Sequence, residues 1–578
     1  MATLIHLLIG HRGVGKTTLA RRFKKKYPSW QVFDLDEEIE RDSDEKIAQL
    51  LAQGESYFRS YEQKVLNKLV AGAQQPTLIA LGAGFEGSLP PEARVIWLRR
   101  TTDANGRVFL NRPRLDPNKS PYQEFLDRFN ERERRFRSWV DDELFIPEGL
   151  EDGLENCLLP NPELHIPFDL TLLPHNLQRW TRFWRRRKTW GLRRLELRDD
   201  LLSEEQIRQV LEDIPPEQVL LSRRRVHEIK NLPIHLKMDW PVELGECSKP
   251  VHILSMHERD VLLEFSPLEQ QSDRAEILKL AVEIRDFQEL LKGHQWWLKD
   301  PKRRAFLPRS PDGRWRWYRS LFGPRMPLHF FREGDGSGED QPQLWQFLLQ
   351  TPFAQNFAAV LGHPVEHSLS PENQRAFFAQ RGIPFVAIDM VEDEFETAVP
   401  VLKDFGLRAA AVTAPLKRKA ALLIKDFVIE NPDLDGANTL FWDGQFWRGT
   451  NTDVQALAQI RHEIKGPQEE VWLWGGSGIK SSVRQVWPQV KEISARQGCE
   501  GSGSPDLVIW AVGRSRLFKS PPFGVQPRFI LDLNYGADSP GLEWAVKGGF
   551  PYQSGLHMFN LQAESQRQFW QRCEGSNP

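Results

Sequence analysis

At 578 residues the chain is too long to bury one core, and three or four folded units are expected. Its net charge of −2 gives no global basic field, which argues against nucleic acid as the general partner. Cys157, Cys247, Cys499 and Cys573 lack metal-ligand spacing, no apolar run approaches membrane length and the N-terminus reads as a core strand rather than a signal peptide, so a soluble, reduced, cytoplasmic protein is expected. Residues 4–18, LIHLLIGHRGVGKTT, run from an apolar strand into Gly10-x-x-x-x-Gly15-Lys16-Thr17 and a helix opened by Thr18, Leu19 and Ala20. This is the phosphate-loop pattern in its proper setting. Gly10, Gly13 and Gly15 let backbone N–H groups turn inward on phosphate oxygens, Lys16 reaches the outer phosphates, and the Thr17 hydroxyl sits on Mg²⁺. The next strand, WQVFDLD, is expected to end on Asp34-Leu35-Asp36, bringing one carboxylate to the metal and one to a substrate hydroxyl.

Further on come Gly54-Glu-Ser-Tyr-Phe-Arg59-Ser-Tyr-Glu62, Gly82-Ala83-Gly84 after the strand TLIAL, Arg112-Pro-Arg-Leu, and Arg132-Glu-Arg-Arg-Phe136. In this order, residues 1–158 resemble shikimate kinase. The resemblance implies ATP and Mg²⁺, with Asp34 on the metal side and Asp36 as the catalytic contact to the shikimate hydroxyls. It also implies that Arg59 and Arg132 hold the shikimate carboxylate, Gly82 and Gly84 flank the ring, and Arg112 closes over the phosphates. Thr18 and Arg107 join the nucleotide contacts. Ala83 stands where the family has a third glycine.

Residues 141–167 are acidic and punctuated by Pro and Gly, and read as a linker; residues 332–343, REGDGSGEDQPQ, read as a second linker or a lid. Arg179-Trp-Thr-Arg-Phe-Trp-Arg-Arg-Arg-Lys188 mixes basic and aromatic residues as nucleic-acid binders do. However, Trp180, Phe183 and Trp184 recur at helical spacing, so a packed helix face is the favoured reading.

In the middle segment, Leu195–Arg198, Val219–Ser222 and His252–Ser255 read as strands, and Lys279 lies inside a further one, Ile277–Val282. A lysine in an apolar strand is desolvated, which lowers its pKa and makes it a candidate amine nucleophile. His257 lies about one strand–helix–strand step away, placed to move protons at the same end of a barrel. Residues 165–350 resemble type I 3-dehydroquinate dehydratase. The resemblance implies an imine between Lys279 and the 3-dehydroquinate ketone, with His257 shuttling protons. Glu196, Arg198, Arg224, Arg316 and Gln341 become the substrate contacts. Asp239-Trp-Pro-Val-Glu243 replaces a tighter acidic pair, Trp315 replaces a serine, and the segment is short for eight strand–helix units.

The C-terminal segment carries Ala358–Pro371 (AAVLGHPVEHSLSP), Val412-Thr413-Ala-Pro-Leu-Lys417, Gly436-Ala-Asn438-Thr and Gly449-Thr-Asn-Thr-Asp453. With Gly555-Leu-His-Met-Phe-Asn-Leu-Gln562, this order resembles shikimate dehydrogenase over residues 353–578. The resemblance makes Lys417 and Asp453 the proton-transfer pair, assigns Ser368 and Ser370 to the carboxylate, and assigns Thr413, Asn438 and Gln562 to the hydroxyls. The substrate part is expected over 353–460, the NADP part over 468–553 and a closing helix over 554–573. Val471–Trp474 leads into Gly475-Gly476-Ser477-Gly478, expected to hold NADP, and Arg496 follows where an arginine accommodates a 2′-phosphate. Only residues 497–505 separate Arg496 from the next expected strand, whereas a parallel crossover needs about a dozen or more. A helix is therefore expected to be missing.

The fold expected is α/β and multidomain: a P-loop kinase fold, a shortened (β/α)8-type barrel, and an α/β substrate domain with a Rossmann-like dinucleotide domain. The order resembles the C-terminal part of the fungal pentafunctional arom proteins, and implies three successive activities on 3-dehydroquinate, 3-dehydroshikimate and shikimate. Two rivals stand beside it: a quinate- or shikimate-sensing regulator of the same domain order, and a shikimate kinase with inactive companions. The oligomeric state is left open.

Overall fold

The computed structural model describes residues 4–100, 121–146, 155, 158–159, 168–179, 184, 192–225, 229, 232–233, 235–245, 250–258, 266–332, 337–344, 347, 350–365, 368–424, 426–427, 436–476, 478–512, 519, 521–522, 524–535 and 539–575. The chain divides into two compact units, Met1–Gln350 and Thr351–Pro578.

The first unit holds two sheets. Strands β1 (Ile5–Ile9), β2 (Gln31–Asp34), β3 (Thr77–Ala80), β4 (Arg94–Arg100) and β5 (Asp142–Ile146) form a parallel sheet in the order β2-β3-β1-β4-β5. β1 is buried throughout because both faces are covered. Leu7 and Ile9 pack with Phe58 and Phe136 on one side, while Leu8 packs with Phe23 and Leu78 on the other. Two local readings are corrected here. β2 stops at Asp34, whose carboxylate caps the helix Leu35–Ser43 by accepting from Asp36 N, so Asp36 lies in a helical first turn. The acidic stretch expected to be a linker contains β5, and Leu158 is buried in the same core. Its acids have partners across the sheet: Asp141 accepts from Val95 N at 2.7 Å, and Asp142 from Arg94 Nε at 2.5 Å.

The second sheet comprises β6 (Phe168–Thr171), β7 (Leu192–Arg198), β8 (Val219–Ser222), β9 (Lys237–Pro241), β10 (Val251–Met256), β11 (Ala275–Leu280), β12 (Arg304–Phe306) and β13 (Phe330–Phe331). It is parallel throughout, in the order β12-β11-β10-β9-β8-β7-β6-β13. The last strand in sequence thus pairs with the first. Helices Glu204–Asp213, Ser266–Gln270, Phe287–Leu298 and Arg316–Phe322 lie between strands, and no α-helix is found between β8 and β10 among the described residues. Of the aromatic basic stretch only Trp184 is described beyond Arg179, and it is buried in this core.

The second unit also holds two sheets. In one, β14 (Phe357–Gly362), β15 (Phe385–Asp389) and β16 (Leu407–Val412) are parallel, β18 (Thr439–Trp442) runs antiparallel to β16 and β19 (Trp447–Thr450), and β17 (Asp426–Phe427) closes the edge. The other is parallel, in the order β21-β20-β22-β23-β24, from β20 (Val471–Gly475), β21 (Lys491–Ile493), β22 (Leu507–Ala511), β23 (Ile530–Asp532) and β24 (Tyr552–Gln553). Residues 494–506 cross from β21 to β22 without a helix, as the short spacing implied. The helix Leu556–Gly575 places Met558 in the core of the parallel sheet and Phe569, Trp570 and Cys573 in that of the mixed sheet. No helix among the described residues is long and apolar enough to cross a membrane.

Candidate active sites

The phosphate loop joins β1 to the helix Lys16–Lys26. Gly10, Gly13 and Gly15 all have positive φ, and a Cβ on Gly10 would stand 2.4 Å from the Leu98 carbonyl oxygen. Only glycine lets the loop pass that close to β4. Lys16 Nζ donates to the carbonyls of Gly10 (2.8 Å) and His11 (3.1 Å), spanning the loop where phosphate oxygens would lie. Thr17 Oγ1 donates to Asp34 Oδ2 at 2.5 Å, so two hard oxygens suited to Mg²⁺ are adjacent, and Thr18 lies in the helix behind them. Asp36 faces this group. Desolvation, and then the Asp34 charge, raise its carboxyl above the ordinary range.

A second cluster adjoins Asp36. A Cβ on Gly82 would lie 3.0 Å from Asp36 Oδ1 and 3.2 Å from Glu62 Oε1, and one on Gly84 would lie 2.8 Å from an Arg59 nitrogen. The two glycines therefore leave these side chains room. Arg59 pairs with the buried Glu62 at 3.0 Å and with Glu55 at 3.3 Å. Burial pushes Glu62 up to about 7, against the opposing pull of Arg59. Arg132 is buried on the helix Pro121–Trp139, and desolvation followed by Arg128, Arg135 and Arg59 brings it down to about 10. Sequence reading had passed over Glu62, although it lies within the quoted motif. Arg107 and Arg112 lie outside the described residues.

In the second sheet, the C-terminal ends of the strands gather the expected groups. Lys279 on β11 is buried and donates to Asp239 on β9 at 2.5 Å, with Arg224 at 3.7 Å from the same carboxylate oxygen. Burial lowers the Lys279 amine; Asp239 opposes that shift and Arg224 adds to it. Asp239 itself is held far below the carboxylate range by Lys279, then Arg224, despite burial. Glu196 on β7 accepts from Ser222 at 2.6 Å and Thr171 at 2.5 Å. Gln341 bonds Ser337 at 2.9 Å, and Ser337 meets Thr171 at 2.9 Å.

His257 follows β10, with its ring Nε2 3.1 Å from Ser255 Oγ. Burial, then Arg224 and Lys279, lower its imidazole well below the ordinary range. Glu243 serves the backbone: it accepts from the N–H of His257 and, at 2.9 Å, from that of Glu258. Arg198 is held bidentate by Asp200 at 3.0 and 2.6 Å.

Arg316 opens the helix Arg316–Phe322. Its guanidinium donates to the Glu339 carbonyl at 3.0 and 2.8 Å, and Trp315 before it is buried with its indole on Ile284 O. Arg309, just past β12, adds its charge to those of Arg224 and Lys279 on His257, and burial followed by Arg198 and Arg224 lowers its own guanidinium. No motif singled it out.

In the second unit, Asp453 is buried at the start of the helix Asp453–Glu463. Lys417 Nζ donates to its Oδ2 at 2.5 Å, while Asn438 Nδ2 (2.9 Å) and Gln562 Nε2 donate to Oδ1. Asn438 is fixed in turn by Thr452 N at 3.0 Å, and Gln566 donates to its carbonyl at 3.1 Å. Thr413 stands one turn before Lys417, its methyl filling the place that a Cβ on Gly362 would take. Ser370 opens the helix Ser370–Ala379, with its N–H on Ser368 Oγ at 3.2 Å, and Gln374 of that helix bonds Gln566 at 3.2 Å.

At the end of β20, Gly475 and Gly476 both have positive φ, and a Cβ on Gly476 would stand 2.6 Å from that of Ala511. This is the close backbone approach that a dinucleotide loop needs. Gly478 faces open space, Ser477 lies outside the described residues, and Arg496 is exposed just past β21.

Residues 12–138 match the family described as shikimate kinase, and residues 360–440 the shikimate dehydrogenase substrate binding domain. The chain is 37% identical over 253 residues to a shikimate dehydrogenase (NADP(+)) of Xanthomonas oryzae, an alignment spanning 37% of this chain and 89% of that protein. A shikimate dehydrogenase (NADP(+)) of Alcanivorax borkumensis is 29% identical over 250 residues, 36% of this chain and 90% of its own. Among solved structures, a shikimate dehydrogenase from Peptoclostridium difficile aligns with a TM-score of 0.33 and 17% identity, covering 38% of this chain and 92% of that one.

Proposed function

The chain belongs to the shikimate dehydrogenase family through its C-terminal part, and from that premise we propose a multifunctional shikimate-pathway enzyme: 3-dehydroquinate dehydratase, NADPH-dependent shikimate dehydrogenase and ATP-dependent shikimate kinase. The observation that carries this reading is the Lys417–Asp453 pair, held at 2.5 Å inside a ring of amide donors on the matched segment. In the dehydrogenase, NADPH would supply the hydride, and Gly475 and Gly476 would hold its pyrophosphate and Arg496 its 2′-phosphate. Lys417, oriented by Asp453, gives the proton to the ketone oxygen of 3-dehydroshikimate. Asn438, Thr413 and Gln562 hold the hydroxyls, and Ser368 and Ser370 the carboxylate.

In the kinase, Arg59 and Arg132 clamp the shikimate carboxylate while Asp36 takes the proton of the attacking hydroxyl. Desolvation and the Asp34 charge raise the Asp36 carboxyl, the direction that strengthens a base. Lys16 steadies the transferring phosphoryl group, and Thr17 and Asp34 would hold Mg²⁺. In the dehydratase, the neutral fraction of Lys279 attacks the 3-dehydroquinate ketone and water leaves as the imine forms. His257 then removes the adjacent proton and returns it to the departing hydroxyl, so a second water is lost, and hydrolysis frees Lys279.

A shortened (β/α)8-type barrel fits this segment, since β13 pairs with β6. Arg194 of β7 also meets His252 of β10 at 2.5 Å although two strands separate them in the sheet. Domains of 1–158, 165–350 and 353–578, and a cytoplasmic location, belong to the same reading. A regulator is favoured by one feature, the helix-free crossover from β21 to β22.

Separate assays of the three reactions on the purified full chain test the proposal. Lys16→Ala should abolish shikimate-dependent ADP release and leave the other two activities near wild type. Binding of pathway ligands with no turnover in any assay overturns the enzyme in favour of the regulator.

A further inference from the structure

The helix Pro121–Trp139 faces two sites at once. Phe129, Arg132, Glu133 and Phe136 recur at i, i+3, i+4 and i+7, which is a single helical face. Arg132 shares this face, and its guanidinium charge and that of Arg59 act on each other. The other three residues meet His11, the second residue of the phosphate loop. The imidazole stacks on Phe129 with centroids 4.5 Å apart and 12° between planes, and meets Phe136 edge-on at 5.4 Å. Its Nε2 lies 3.2 Å from Glu133 Oε1. The other oxygen of Glu133 is held by Arg99 of β4 at 3.3 Å and by Arg137 at 3.5 Å. His11 and Glu133 are both buried, so water does not compete for this contact.

The carbonyl of His11 accepts from Lys16 Nζ at 3.1 Å. A phosphate that drew Lys16 Nζ away would release that carbonyl, and residue 11 is the loop position whose side chain meets the helix bearing Arg132. We infer that His11 is a positioning residue that couples the nucleotide loop to Arg132, so that occupancy of the phosphate site sets the alignment of the acid-binding arginine. This inference rests on the kinase reading of residues 1–158. Such coupling is reciprocal: the nucleotide raises affinity for the acidic acceptor by the factor by which the acceptor raises affinity for nucleotide.

The test uses the full chain with shikimate and ATP, reading the shikimate KM in ADP release, and calorimetric shikimate binding with and without a non-hydrolysable ATP analogue. His11→Ala should raise the shikimate KM about tenfold, although the residue sits in the nucleotide loop, and bring the analogue's effect on shikimate affinity close to none. His11→Gln, which can still donate to Glu133, should restore most of both. Glu133→Gln should reproduce part of the loss from the other partner, and it carries the test alone if His11→Ala does not fold. A purely structural role would lower thermal stability and kcat while sparing both shikimate readouts, and that result overturns the inference. An unchanged shikimate KM in folded Glu133→Gln and His11→Ala overturns it as well. Wild-type protein with no shikimate-dependent ADP release instead defeats the kinase reading itself, so the two failures are distinct.

Discussion

Replacing Lys417 by methionine probes the second unit at one atom. Methionine keeps most of the stem's volume and removes the ammonium that stands 2.5 Å from Asp453 Oδ2. The Asp453 side chain is 1% exposed, so the variant leaves a buried carboxylate with, among the described residues, the amides of Asn438 and Gln562 as its side-chain donors. Breaking a buried pair from one side costs about 3–5 kcal/mol. Lys417 retains 18% side-chain exposure, so water reaches the vacated position, and about 2 kcal/mol of stability is the expected loss.

Its effect on rate is a separate quantity. Removing a positioned general acid–base group slows turnover by about 10²–10⁴-fold, or about 3–5 kcal/mol of barrier. Shikimate affinity should change little, because Asn438, Thr413 and Gln562 remain. The assay is NADP⁺ reduction by shikimate, with calorimetric shikimate binding and thermal unfolding measured on the same preparations. A kcat within tenfold of wild type in a folded variant refutes the proton-transfer role. A loss that falls on KM with kcat preserved refutes it too, and makes Lys417 a binding residue only.

Glu62 gives a pH signature: its carboxyl is raised to about 7 in the fold against 4.5 ordinarily, so the protonated form is favoured and its stabilising contribution declines as pH climbs from 4.5 to 7, by about 3 kcal/mol. Hydrogen exchange in the helix Glu55–Ala71 should therefore show Glu62→Gln gaining protection over wild type at pH 8 but not at pH 4.5, and an equal gap at both removes the argument. Borohydride added with 3-dehydroquinate should inactivate the dehydratase and leave the substrate's mass on Lys279; modification of another lysine, or turnover without trapping, defeats the imine. Arg496→Ala should erode NADPH preference by about ten- to a hundredfold, the worth of one charge-assisted phosphate contact, and barely touch NADH kinetics; unchanged selectivity places the 2′-phosphate elsewhere.

The phosphate loop was legible from sequence because its chemistry is local: glycines at positive φ, a lysine and a hydroxyl within one turn of chain. Lys417, Asn438 and Asp453 could be named because each sits in a short motif at a strand end or turn, and the missing helix after β21 followed from counting residues. Only tertiary structure decided which groups meet. Asp239 was read as a departure from a motif, yet it is the partner of Lys279, because β9 and β11 bring the two side chains to the same end of the sheet. Arg309 acts on His257 through its charge, while Arg316 donates to the Glu339 carbonyl; both stand in one Arg-rich stretch that sequence cannot resolve. The strand Asp142–Ile146 was hidden by an acidic composition whose partners, Arg94 and the Val95 N–H, lie on another strand. Local pattern fixes which side chains a turn presents, while the burial and charge that tune them come from residues distant in sequence, and those distances exist only once the sheets have formed.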